Sequence, residues 1–266
     1  VQGSVKLTAS INETRTELSG NDVLWKSNDC LGLFCGTKFV NAPFTTTAGG
    51  TTSADFTGDP TDPSGSEAEV FYAYYPYTAH AVLEGSVVSG LSIPAVQTFA
   101  TKSFATELCP MATSGADYSR LAFRTIGTVL KFQVTGQKNV TKIELTGNNG
   151  EALAGDYTID FVGETPEMKF SGTETTLTLT CSEPVALNDA SATEFYFVLP
   201  AGVEFTKGIT VKVYTDDNAE PMVKEYASPL TTRPNKLVTV KAFTYSVPVT
   251  SIEEANEALS KGTSGV

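Results

Sequence analysis

His80 is the single histidine in a chain of 266 residues that also carries 30 acidic side chains, so acid–base or metal chemistry would have to start from these groups. An imidazole works near neutral pH as a general base or a metal ligand, but both roles need a companion. No second histidine exists, so an HExxH pair, a His triad and the usual zinc sites are excluded. His80 follows the aromatic run from Val70 to Tyr77 and is expected on the surface. Asp59, Asp62, Ser64 and Glu67 could in principle wrap a calcium ion, yet their spacing misses the EF-hand pattern and Pro60 and Pro63 interrupt it, which favours a solvated loop. Paired carboxylates for glycoside hydrolysis need only spatial proximity, but most of the acids fall in turns or on polar faces. A Gly-rich phosphate loop and a Gly-x-Ser-x-Gly elbow are absent. No enzyme activity, cofactor or metal is expected.

Four cysteines, Cys30, Cys35, Cys109 and Cys181, make an even count without a CxxC. Cys30 and Cys35 could form a local disulfide in an oxidising compartment or remain free thiols, whereas Cys181 in the alternating LTLTC run reads as a small buried apolar residue. Trp25 and the group Tyr72, Tyr74, Tyr75 and Tyr77 could stack on sugars. Alternating aromatics in a strand more often pack the core.

The elements that would hold these groups are strands. Ile209, Val211 and Val213 alternate with Thr210, Lys212 and Tyr214, so this segment has a core face and a wet face. The same period runs through Val5, Leu7, Ala9 and Ile11 at the start, followed by a loop at 12–15. In the second half, apolar-alternating runs recur with turn residues between them, including Asn148-Asn149-Gly150 and Asp216-Asp217-Asn218 as hairpin-type turns. An antiparallel β-sandwich follows more naturally than a parallel sheet. The Thr/Gly/Ser/Pro-rich stretch 45–65 reads as an irregular excursion, and Pro76 should end the aromatic strand or place it on an edge.

Length suits two domains, each closing its own core. The expected division is residues 1–115, 116–246 and a tail at 247–266. In the tail Ser251 and Glu254 form a capping box, and Gly262 closes a short helix. The Ser-Gly-Val end is expected to continue into something longer. A net charge of -12 and a pI near 4.6 repel phosphate backbones and anionic headgroups, so nucleic acid and direct membrane insertion are not expected. No apolar run is long enough to span a bilayer.

The order of short motifs adds a family. Trp25-Lys-Ser-Asn-Asp29, Phe71-Tyr-Ala-Tyr-Tyr-Pro-Tyr77, Ile93-Pro-Ala-Val-Gln97, Leu153-Ala-Gly-Asp-Tyr157, Phe195-Tyr-Phe-Val-Leu-Pro200 and Arg233-Pro-Asn-Lys-Leu237 together resemble the fimbrillin-like proteins of Bacteroides-type bacteria. That resemblance implies an all-β fold of two tandem transthyretin-like Greek-key β-sandwich domains, here with the short C-terminal helical tail. It also implies a non-catalytic pilus subunit or adhesin, exported with a signal peptide as a lipoprotein and held at the outer membrane or in a fimbrium. Partners would be other pilus subunits, joined by strand exchange, and a host or bacterial surface protein or glycan. In such pilins a protease removes the first strand, which here would be Val5, Leu7, Ala9 and Ile11 released by a cut at Arg15. The alternative is a carbohydrate-binding module or a supporting domain of a larger surface glycan-processing protein.

Overall fold

The structure is a computed structural model that describes residues 4–11, 23–105, 108–217 and 220–246. Every helix-length or strand-length element among them is a β-strand, so the protein is all-β. The period-two segments form strands where alternation demanded them. In Ile209–Thr215, for example, Ile209, Val211 and Val213 are buried while Lys212 faces water.

Seven strands close into a barrel in the order Val5–Ile11, Arg120–Thr125, Met111–Gly115, Phe71–Tyr75, Cys30–Cys35, Phe39–Thr45 and Ser53–Gly58, the last pairing back to the first. Trp25, Leu31, Leu33, Phe44, Phe56 and Phe123 fill its interior. A second core gathers Leu130, Phe132, Ile143, Leu145, Phe195 and Phe197. The sheets around it are built on the pairings of Asn139–Gly147 with Thr176–Ala186 and Ile209–Thr215, of Thr128–Thr135 with Thr193–Leu199, and of Gly155–Asp160 with Val87–Ile93. One wall serves both cores: along Phe71–Tyr75, Phe71, Ala73 and Tyr75 point into the barrel and Tyr74 into the second core. Alternation in a strand with apolar neighbours on both sides produces this directly.

Several expectations change. The stretch 45–65 is not wholly irregular, because Ser53–Gly58 is a barrel strand with Ala54 and Phe56 buried. Its two neighbours supply the hydrogen bonds that a Thr- and Ser-rich segment would otherwise satisfy with water. Pairing is mixed rather than purely antiparallel: Val5–Ile11 runs parallel to Arg120–Thr125, and Thr128–Thr135 runs parallel to Lys236–Thr239. Gly150 does make a turn, with φ of 76°, but the strand that follows pairs with Val87–Ile93 and Glu167–Phe170 and not with the strand before it. The Asp216 turn does join an antiparallel pair, Ile209–Thr215 with Met222–Tyr226. Segment 82–98, ahead of the division expected at Gly115, pairs with second-half strands through Val87–Ile93 and Val96–Thr98. The aromatic strand stops at Tyr75, immediately before Pro76, and lies inside the barrel wall between two partners. The capped helix expected in the tail lies outside the described residues.

Gln97 ties two sheets together. Its amide nitrogen donates to the Val198 carbonyl at 2.8 Å and its Oε1 accepts from the Val198 amide at 2.9 Å, so one side chain does the work of a strand partner. Gln97→Leu keeps the bulk and removes both bonds, leaving two buried backbone groups unpaired. A loss of about 2–4 kcal/mol in urea unfolding is expected. A loss below about 1 kcal/mol would mean that other groups take over both bonds.

Candidate functional site: the first strand and its slot

Val5–Ile11 is the closing stave of the barrel. On one side it runs antiparallel to Ser53–Gly58, with Leu7 opposite Phe56 and Ala9 opposite Ala54. On the other it runs parallel to Arg120–Thr125, with Ala9 opposite Leu121 and Ile11 opposite Phe123. The alternation read from sequence is realised: Leu7, Ala9 and Ile11 are buried, Val5 is partly buried, and Lys6 and Thr8 face solvent. All four predicted donor-strand residues are therefore brought together on one inward face. Arg15, the predicted processing residue, lies outside the described residues.

Two sets of contacts hold the strand. Inside, the Trp25 indole nitrogen donates to the Ala9 carbonyl at 3.0 Å, and the ring meets Phe56, Tyr75 and Phe123 edge-on at centroid distances of 4.9, 5.4 and 5.7 Å. Edge-to-face contacts of this kind add to the burial of the rings themselves. Tyr75 in turn donates its hydroxyl to the buried Asp29 carboxylate at 2.8 Å. Outside, Lys6 pairs with Asp55 at 2.7 Å and Thr8 donates to the same carboxylate at 2.8 Å. The Lys6 bond, then the Thr8 bond, hold the Asp55 carboxyl below its ordinary range. Ser10 donates to the Leu121 carbonyl at 3.2 Å. The polar set is exposed and weak, whereas the apolar set is dry and carries the binding. The Trp25 bond and the parallel neighbour were not foreseen. Trp25 stood out in the sequence as a motif residue and as an aromatic that could stack on sugars or pack the core, with nothing to pair it with Ala9, and parallel register between distant segments leaves no local trace.

The other candidates disperse. His80 is exposed in a turn. Asp62 closes a local turn onto Ser64, and Glu67 pairs with Lys38 and accepts from Tyr118, so these acids bond to protein groups around the loop. Among the described residues no group of three or more His, Cys, Asp or Glu side chains is placed to hold a metal ion. Nor is any helix among them long and apolar enough to cross a membrane. Trp25, Tyr74 and Tyr75 are core residues, Tyr72 packs on Phe161 at 5.0 Å, and Tyr72 and Tyr77 both lie half-buried against the second core, so this group presents no open platform.

The cysteines are all free; Cys30 and Cys35 sit at the two ends of one extended strand, a spacing that puts their side chains on opposite faces. Burial pushes the Cys30 and Cys181 thiols up to about 11. Iodoacetamide at pH 8 is therefore expected to leave both unmodified while a free thiol reacts fully, with labelling rising roughly tenfold per pH unit above that. Intact-protein mass spectrometry reads the result. Labelling at the rate of a free thiol would contradict it.

Fold and site together define an all-β protein whose first strand closes a barrel and whose described residues gather no cluster placed to hold a metal ion. The sequence matches no known protein family and no curated protein. The structure is similar to a candidate cell adhesion protein from Bacteroides uniformis, with 14% identity over 85% of this chain and 84% of that one and a TM-score of 0.46. A second candidate cell adhesion protein, from Bacteroides fragilis, gives 10% identity over 94% and 95% of the two chains and a TM-score of 0.47. A C-terminally truncated tip fimbrial protein from Porphyromonas gingivalis gives 13% identity over 86% and 83% and a TM-score of 0.29.

Proposed function

We propose that this protein is a non-catalytic, fimbrillin-like cell-surface protein that serves pilus assembly or adhesion through exchange of its first strand. The observation that carries the proposal is the inward row Leu7, Ala9 and Ile11 held between two strands that would otherwise each present a bare edge. A segment that fills a slot by alternating side chains and backbone pairing can be replaced by any other segment with the same period. The motif order in the sequence supports the setting: export to the cell surface, with the chain anchored at the outer membrane or built into a fimbrium. Two transthyretin-like Greek-key units dividing near Gly115 belong to the same proposal, the first lending Val82–Thr98 to the second.

Exchange requires that the link after Ile11 be broken, and Arg15 is the proposed cut. Limited digestion with an arginine-specific protease, followed by incubation with an isotopically labelled Val5–Ile11 peptide, tests this by native mass spectrometry. The cut chain is expected to trade its own strand for the labelled one, and the uncut chain to refuse it. A cut chain that never takes up the label overturns strand exchange. The carbohydrate-binding alternative gains no support from the aromatics, since the ones that could form a platform are packed.

A further inference from the structure

The inward row of the first strand is large at Leu7 and Ile11 and small at Ala9, and the barrel is packed around that small place. Ala9 lies opposite Ala54, and both are buried. Facing alanines leave a hollow between their strands. The Trp25 indole takes it up: its Nε1 is 3.0 Å from the Ala9 carbonyl oxygen. The carbonyl oxygen and the Cβ of one residue are close neighbours in the covalent frame, so the ring lies beside the Ala9 methyl. Nor is the ring free to move aside. Phe56, Tyr75 and Phe123 meet it edge-on, and the whole side chain is buried. Its backbone is tied down as well, with the Trp25 amide donating to the Thr51 carbonyl at 2.8 Å and the Gly50 amide donating to the Trp25 carbonyl at 2.8 Å.

We propose that Trp25 selects the strand that fills the slot, admitting an extended segment whose inward row carries a small residue (Ala, Gly or Ser) between large apolar ones, and that it fixes the register of that segment. The inference rests on strand exchange as proposed above and states which partner strands the slot accepts. The indole acts in two ways. Its N–H bonds a backbone carbonyl, which every strand offers, so this contact anchors without reading sequence. Its ring reads size, because a side chain larger than alanine at the Ala9 place must displace a ring locked on several sides. Alternation alone does not fix register: a strand shifted by two residues still turns the same apolar side chains inward. Such a shift brings Leu7 or Ile11 against the indole, and the small residue at the centre is what forbids it. The outer face discriminates less. Lys6 and Thr8 meet Asp55 at the surface, where an ion pair contributes little.

The test uses the arginine-cut chain and a set of Val5–Ile11 peptides, each competing with the isotopically labelled natural peptide and read by native mass spectrometry. Ala9→Gly and Ala9→Ser peptides are expected to compete within about fivefold of the natural one. The Ala9→Leu peptide is expected to compete roughly tenfold to a hundredfold less well, the size of an overpacking penalty. A peptide combining Leu7→Ala with Ala9→Leu keeps the natural composition and only moves the small place, and it is expected to lose roughly tenfold or more. A Lys6→Gln peptide should stay within about fivefold. In a cut chain carrying Trp25→Leu, the gap between the natural and Ala9→Leu peptides is expected to shrink below about threefold. Thermal unfolding shows whether that variant folds, and Trp25→Phe takes its place if it does not. If the natural peptide never enters, strand exchange fails and this inference with it. If it enters but the Ala9→Leu or the rearranged peptide enters equally well, the inference alone falls. A Trp25 variant that discriminates as sharply as the natural chain also overturns it.

Discussion

Deleting residues 1–11 is expected to cost about 3–6 kcal/mol of stability and to lower the thermal midpoint by roughly 10 °C or more, a loss that a peptide spanning Val5–Ile11 restores. Leu7 and Ile11 leave large pockets: a buried leucine or isoleucine cut only to alanine already costs about 2–5 kcal/mol. Deletion also exposes the faces of Trp25, Phe56 and Phe123 and opens both neighbouring edges. Against this stands the ordering of the strand, about 1–2 kcal/mol per residue, which the truncated chain no longer bears. That term keeps the net loss small enough for the chain to stay folded. The peptide must bear it when it binds, so the restored midpoint is expected to climb with the logarithm of peptide concentration. Trp25 is the single tryptophan and reports the slot directly, its emission shifting to the red when the strand leaves and back to the blue when the peptide enters. A peptide carrying Leu7→Asp places a charge in the dry face and should not rescue. Should the truncated chain melt like the intact one, the strand is an accessory and the proposed function loses its basis.

How much of this was legible beforehand depends on whether the signal was local. The first strand was fully legible, because Val5, Leu7, Ala9 and Ile11 carry their periodicity within seven residues. Ser53–Gly58 was not, since only Ala54 and Phe56 mark its inner face and the surrounding Thr, Ser and Gly look like loop. The parallel neighbours were beyond reach for a different reason: register between segments over a hundred residues apart is set by what else fills the barrel. The turn at Gly150 shows the same limit, because Asn-Asn-Gly fixes the local bend while the next strand chooses its partner by burial. A single polar residue that matters, Gln97, was visible only as a member of a motif. A glutamine that clamps Val198 looks like any other amide until the backbone around it is placed.

Gly32→Ala is expected to have a large effect for a single added methyl. A Cβ built there would sit 2.2 Å from Tyr74 Cε1, 2.5 Å from Cζ and 2.7 Å from the hydroxyl oxygen, all inside contact distance. A flexible side chain could yield, but Tyr74 is wholly buried and its hydroxyl is fixed: it lies 2.7 Å from Asn41 Oδ1 and 2.9 Å from the Thr78 carbonyl, and accepts from the Thr78 amide at 3.2 Å. Burial raises the phenol's pKa and keeps it neutral, so no charge is available to pull it outward. Gly32→Ala must therefore drive the ring from its place or spread the pairing of Gly32 with Tyr74, at about 3–5 kcal/mol, the cost of losing a large core side chain. The damage should also reach the slot, since the next residue, Tyr75, packs on Trp25 from the opposite face of the same strand. If the clash is the cause, shortening its other half relieves it: Gly32→Ala combined with Tyr74→Leu is expected to cost at least about 1 kcal/mol less than the two single losses added together. Additive losses in chemical unfolding would place the cost of Gly32→Ala in the backbone and remove Tyr74 from the explanation.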